Sequence, residues 1–326
     1  MKETNTTELS LNDPTSGYMK YGENITYECP TLPYALKVLG AVSVGTSLCG
    51  LVGNGVVLWF LGFHMKKSPS TVYVLNLAIA DFSLLLLFLG MLTLCFITEF
   101  HCNFSWEWNS WIVYIMIIVI LFWYFASMYL LTAISIERCL SGLFPAWYWY
   151  HRPRHLSGTV CGVLWALAGL LVSLLVIYSL SSRETYSKLL YDIGLGNSLI
   201  FSLLPLFSNL FLFIKLHCLS QRQRSGRLYV AILLNAIFLF LFGFPLSLFI
   251  WLVSSYYLDS TYLEISALSP SLNNSINPFI YFLVGSYRQR RFQRSVKVAF
   301  RRVFEENVTS EEENHEPGDT AVETTL

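Results

Sequence analysis

Charge is what this sequence has least of. Of its 326 residues only 13% are Asp, Glu, Lys or Arg, against roughly 25% in soluble domains. So few charges cannot cover a water-facing surface on a chain of this length. The hydrophobic share of 54% and the mean hydropathy of +0.52 point the same way. A disordered chain, a nucleic-acid binder and an ordinary soluble enzyme are excluded on these grounds. Cysteine is also scarce: seven residues, scattered, form no disulfide scaffold, and no CxxC or HExxH spacing suggests a metal site. No basic stretch leads into an apolar core at the start, where Met1–Gly17 is polar, so no cleaved signal peptide is expected. No nucleophile with partner residues and no paired His/Asp cluster points to an enzyme. No repeat of fixed period occurs, and no loop is long enough to fold as a separate domain. A polytopic membrane protein remains.

Long apolar runs are what the sequence does have. A bilayer core needs about 20 apolar residues in a helix. Seven stretches qualify: 36–63, 70–97, 108–136, 156–180, 189–218, 228–254 and 262–284. In lipid every backbone N–H and C=O must be satisfied within the segment, so the expected fold is all-α, a seven-helix transmembrane bundle. Pro205, Pro245 and Pro278 fall inside the last three stretches and read as kinks rather than breaks. With seven spans the loops divide 21 basic residues as 16 on one side and 5 on the other. The positive-inside rule places the 16 in the cytoplasm, with the N-terminus outside and the C-terminus inside. Three sequons, Asn5, Asn24 and Asn103, then fall outside, where glycosylation occurs. Those at Asn307 and Asn273 fall in the tail and in span seven, and neither is expected to be used. The expected organisation is an extracellular tail over 1–35 and a seven-span domain over 36–285. An amphipathic cytoplasmic helix over 286–304 and an acidic, disordered tail over 305–326 follow.

Ionisable residues inside spans are costly and point to function. Asp81 lies mid-span. Ser127 and Asn54 lie at comparable depth, and Asn273 and Asn277, four apart, share a face of span seven. Carboxylate, hydroxyl and amides together make an oxygen-rich pocket suited to a sodium ion. They equally make a polar network that holds helices together. At the inner end of span three stands Glu137-Arg138-Cys139, two opposite charges at the membrane boundary.

In order along the chain, Gly53-Asn54, Leu77-Ala-Ile-Ala-Asp81, Glu137-Arg138-Cys139, Trp165, Pro205, Pro245 and Asn277-Pro-Phe-Ile-Tyr281 resemble the motifs of the class A (rhodopsin-like) G-protein-coupled receptors. Within that class Gly53-Asn-Gly-Val-Val-Leu-Trp-Phe60, Leu130–Leu140, Phe144-Pro-Ala-Trp-Tyr148, His151-Arg-Pro-Arg154 and Asn277–Ser286 resemble the Mas-related receptors. The extracellular half matches less well. The resemblance implies an extracellular ligand and a heterotrimeric G protein, of the Gq or Gi class. It implies that Glu137 restrains Arg138 at rest, that Arg138 then swings toward the G protein, and that Tyr281, Asn277, Pro278 and Pro245 serve as switch and hinge. Several departures stand out. The acid that many relatives carry at the start of span six is absent from Ser225-Gly-Arg227. Gly243 replaces the tryptophan two residues before Pro245, and Phe213 stands where span five usually has a tyrosine. The usual extracellular bridge has no cysteines here. Cys29 and Cys102 could pair instead, or remain thiols.

Span three carries no acid over Tyr114–Ile120, so a small amine held by that ion pair is not expected. Asp192, Glu264 and Asp259, with Trp108 and Tyr257, are the ligand candidates. Acid and aromatic surfaces suit cationic peptides or amphiphiles, although Trp and Tyr also belt membrane interfaces. No cysteine follows Cys218, so basic side chains rather than a palmitoyl group would hold the segment after span seven to the anionic leaflet. Thr309, Ser310, Thr320, Thr324 and Thr325 are candidate kinase sites for arrestin recruitment, and Thr324–Leu326 fits a PDZ groove. A ligand-independent receptor-like scaffold and an ion-coupled transporter using Asp81 are the alternatives to a signalling receptor.

Overall fold

In the computed structural model of the chain the described residues are 34–65, 68–100, 106–153, 155–181, 203–219 and 260–286. Residues 196, 200–201, 233–234, 236–238 and 241 are described in short pieces. The elements are α1 (Tyr34–Phe63), α2 (Pro69–Phe100), α3 (Trp106–Leu143), α4 (Pro145–Tyr150), α5 (Leu156–Ser181), α6 (Leu203–Leu219) and α7 (Ser260–Ser286). No strand occurs among the described residues. The first four expected spans correspond to α1, α2, α3 and α5, each long and apolar enough to cross a membrane. Spans five and seven correspond to α6 and α7; most of span six, 228–254, lies outside the described residues.

The outward faces explain why lipid must surround this bundle. Leu48, Val52, Trp59, Leu86, Ile115, Val163, Leu170 and Ile177 are exposed, where a soluble helix would carry a polar stripe. Patches of that extent in water would drive association. The inward faces bury Leu77, Leu84, Tyr124, Phe125, Met128 and Leu130.

α1 packs closely on α7 and α2, and α2 on α3. Small residues permit the first approach. A Cβ placed on Gly53 would stand 2.9 Å from Pro278 Cβ, and one on Gly50 would stand 2.7 Å from Ser275 Cβ. Glycine at these two positions lets the backbones meet, the usual device in membranes. Across the same seam Ser275 Oγ donates to the Thr46 carbonyl at 2.9 Å. On the other side of the bundle, Trp165 of α5 donates its indole N–H to Asn76 Oδ1 of α2 at 3.1 Å. Its ring lies edge-on to Trp123 of α3, centroids 5.3 Å apart.

Two features differ from the sequence expectation. α3 runs to Leu143 rather than ending near residue 136, because Glu137 and Arg138 find polar partners and need no water there. A short extra helix, α4, follows at once. The Phe144 amide still bonds the Leu140 carbonyl at 2.9 Å, and proline opens the new helix at Pro145, where its missing N–H costs nothing.

Candidate functional site

Two polar centres lie on this scaffold, one in the middle of the bundle and one at the end of α3. The first surrounds Asp81, fully buried on α2. Ser127 Oγ of α3 donates to Asp81 Oδ1 at 2.6 Å, and Asn277 Nδ2 of α7 donates to Asp81 Oδ2 at 2.6 Å. Ser127 Oγ also lies 3.0 Å from the Asn274 side-chain oxygen. Asn54 of α1 enters through the backbone. Pro278 has no N–H to give the carbonyl four residues earlier, which belongs to Asn274. Asn54 Nδ2 donates to that carbonyl at 3.1 Å and to the Gly50 carbonyl at 3.0 Å. The proline in α7 thus creates an acceptor, and α1 supplies its donor.

The structure therefore brings together four of the five residues singled out from the sequence for this centre: Asp81, Ser127, Asn54 and Asn277. Asn273 is buried on the same helix, but the side chain that reaches Ser127 is that of Asn274. Spacing carried the signal, since Asn274 precedes Asn277 by three and also shares its face. The tandem amides hid which of the two reaches Ser127.

The second centre surrounds Glu137, buried near the C-terminal end of α3. Arg152, beyond α4, gives Nε to Glu137 Oε1 at 2.8 Å and brings Nη2 to 2.5 Å from the same oxygen. Tyr148 of α4 donates to Oε1 at 3.0 Å, and Tyr73 of α2 donates to Oε2 at 3.4 Å. Arg152 Nη2 also donates to Ser157 Oγ of α5 at 2.6 Å, and its guanidinium lies over the Tyr148 ring, 5.1 Å from the centroid. One carboxylate thus ties together α2, α3, α4 and α5. Burial, and then the negative charge of Glu137, push the Tyr148 phenol up to about 12, so it remains a protonated donor at neutral pH. Arg138, also buried, donates to Ser70 Oγ of α2. The sequence pointed to Glu137 and Arg138 but gave Arg152, a loop charge within the stretch His151-Arg-Pro-Arg154, no site role. A basic residue fifteen positions from its acid gives no local periodicity to notice.

Tyr281 and Pro278 are buried on α7. Trp108 lies in the first turn of α3 and Glu264 in the second turn of α7, with side chains outside the described residues. Pro245, Asp192, Asp259, Tyr257, Cys29, Cys102, Asn5, Asn24 and Asn103 lie outside the described residues altogether, as do the segment 287–304 and the tail. Among the described residues no cluster of His, Cys, Asp and Glu could hold a metal ion through three such side chains.

With these centres placed, comparison with known proteins is direct. The family described as 7 transmembrane receptor (rhodopsin family) matches residues 53–281. The chain is 35% identical to Proto-oncogene Mas of Rattus norvegicus over 89% of its own length and 91% of that protein. It is 33% identical to Proto-oncogene Mas of Homo sapiens over the whole of both chains. It is 38% identical to Mas-related G-protein coupled receptor member B2 of Mus musculus over 88% of its length and 85% of that protein. A match across most of a seven-span receptor domain, with relatives at these identities, makes the protein a multi-pass membrane receptor rather than an enzyme. The chain belongs to the rhodopsin family of seven-transmembrane receptors and, within it, to the Mas-related G-protein-coupled receptors.

Proposed function

We propose that this receptor sits in the plasma membrane with its N-terminus outside and carries the signal of a cationic peptide or amphiphile to a Gq or Gi heterotrimer. The observation that carries the signalling half is the inner end of α3. Glu137 and Arg138 are only 7% and 5% exposed, and polar contacts reach them from α2, α4 and the segment before α5. Each of the two charges is held by contacts from neighbouring elements, so a movement of those elements would change its partners, as a two-state switch requires. Arg138 is the group that reaches the G protein, Tyr281, Asn277 and Pro278 rearrange α7, and Pro245 is the hinge of span six. The loop-charge asymmetry supports the orientation, and with it glycans on Asn5, Asn24 and Asn103. Asp192, Asp259 and Glu264, with Trp108 and Tyr257, supply acid and aromatic surface to a cationic ligand. Arrestin recognition belongs to the acidic, Thr-rich segment after residue 305.

A sodium ion fits the Asp81 centre by its chemistry. Ser127 has one proton, which serves the carboxylate as the stronger acceptor. Asp81 Oδ1, Ser127 Oγ and the Asn274 side-chain oxygen stand in series, 2.6 and 3.0 Å apart, an oxygen-rich set that suits a small hard cation. Asp81, Ser127 and Asn274 would hold the ion, with Asn54 and Asn277 fixing their orientation, and the ion would supply the counter-charge a buried carboxylate otherwise lacks.

The test is a G-protein dissociation assay in cells, with and without basic peptides, on the wild type and Arg138→Ala. Basal or peptide-evoked dissociation that disappears in Arg138→Ala, at equal surface expression, is the expected result. Ion flux that depends on Asp81, with no dissociation from any heterotrimer, would replace this reading with transport.

A further inference from the structure

We propose that Arg152 is a positioning residue for coupling: a second counter-ion of Glu137 that competes with Arg138 for one carboxylate. The inference rests on the reading of Arg138 given above, and it follows from where Arg152 stands. The Arg152 and Glu137 side chains are 5% and 9% exposed, so water screens their attraction little. Arg152 puts two nitrogens on the single oxygen Oε1 and fixes its guanidinium further on Ser157 Oγ and the Tyr148 ring. These contacts preorganise the arginine, so forming the pair costs little side-chain entropy. Glu137 Oε1 also takes the Tyr148 hydroxyl at 3.0 Å, so the carboxylate holds α4 and Arg152 together as one unit.

Arg138 is the next residue on α3, also buried, and donates to Ser70 Oγ of α2. Negative charge drawn by Arg152 is withdrawn from Arg138, so the geometry of the loop after α3 biases how firmly Arg138 is restrained. The acid that relatives place at the start of span six is missing from Ser225-Gly-Arg227. Glu137 therefore carries more of the restraint in this chain, and a competitor for it has more effect. Arg152 favours the state in which Arg138 is released, and it shapes α4 for the cytoplasmic partner at the same time.

The test uses full-length receptor in nanodiscs with two readouts on wild type, Arg152→Ala, Arg152→Lys, Glu137→Gln and the Arg152→Ala/Glu137→Gln double variant. The first is hydrogen exchange of the amides over 144–151, which needs no G protein. The second is basal nucleotide exchange on purified Gi and Gq heterotrimers. Arg152→Ala is expected to speed amide exchange over 144–151 about tenfold. It is also expected to lower basal nucleotide exchange several-fold, with Arg152→Lys between it and the wild type. Glu137→Gln is expected to raise nucleotide exchange, and the double variant to follow Glu137→Gln, because no carboxylate is left to compete for. Opposite signs at the two ends of one pair are not what a loss of folding produces. Unchanged amide exchange in Arg152→Ala would overturn the proposal. So would a fall in nucleotide exchange of the same size in the Glu137→Gln background. If no variant, wild type included, promotes nucleotide exchange, the reading of Arg138 fails, and the amide exchange still decides whether Arg152 clamps the loop.

Discussion

Gly50→Ala adds one methyl group at a close approach of α1 and α7, and its cost can be worked from the geometry. The new Cβ would stand 2.6 Å from Leu85 Cδ1 and 2.7 Å from Ser275 Cβ, with Ser275 Oγ closer still. Carbon atoms rest at about 3.5–4.0 Å. The Leu85 methyl is the end of a flexible chain and can swing away; Ser275 Cβ is fixed to the α7 backbone and cannot. α7 must therefore retreat by about 1 Å. That strains the Ser275–Thr46 bond of 2.9 Å and the Asn54–Asn274 bond of 3.1 Å, the one that serves the carbonyl orphaned by Pro278. Overpacking costs about 1–3 kcal/mol, and a weakened buried hydrogen bond about 1 kcal/mol more. Alanine returns about 1 kcal/mol through its helix propensity, leaving a net loss of about 1–3 kcal/mol. For a chain of this size that lowers the melting temperature by about 1–5 °C. The assay is a thermal melt in nanodiscs followed by tryptophan fluorescence. Gly45→Ala and Gly62→Ala are the controls, because nothing lies within 4 Å of a Cβ at either position. Ser275→Gly in the Gly50→Ala background should recover part of the loss. If Gly50→Ala melts with the controls, or Ser275→Gly brings no recovery, the close seam between α1 and α7 is not what holds this side of the bundle.

Trp165→Phe removes the donor to Asn76 Oδ1 and the indole edge against Trp123. A loss of about 1–3 kcal/mol is expected in the same melt, and Trp165→Phe with Asn76→Ala should cost less than the sum of the two. Sodium chloride should raise the wild-type melting temperature above that in potassium chloride at equal ionic strength, and Asp81→Asn should abolish the difference; equal melting in both salts for the wild type would remove sodium from the Asp81 centre. The Tyr148 phenol titrates higher in the folded receptor than its ordinary value of 10.0, at about 12, because burial and Glu137 both oppose its ionisation. Its contribution to stability is complete below pH 10 and is lost as the pH rises from 10 toward 12, since only the unfolded chain ionises there. Tyr148→Phe should flatten that part of the stability profile, and a difference titration of the tyrosinate band should show one late-appearing phenol fewer in Tyr148→Phe than in the wild type.

Four of the spans and the fold class were legible in the sequence because their physics is local, and the family was legible through its motifs. A helix in lipid must be long, apolar and internally bonded, and α1, α2, α3 and α5 meet that requirement wherever they are read. Asp81 and Glu137-Arg138 were legible for the same reason, as charges in places where charge is expensive. Which groups meet them was decided only by the tertiary structure, because a partner is a matter of which faces four separate helices turn toward one another. Asn274 rather than its neighbour Asn273 turns to Ser127, and Asn54 serves the carbonyl that Pro278 leaves without a donor. Arg152 crosses from the end of the loop to Glu137. Hydrophobic length sets a segment's place in the bilayer; the pairing of polar groups depends on helix rotation and on backbones close enough to touch, and the chain acquires both only by packing.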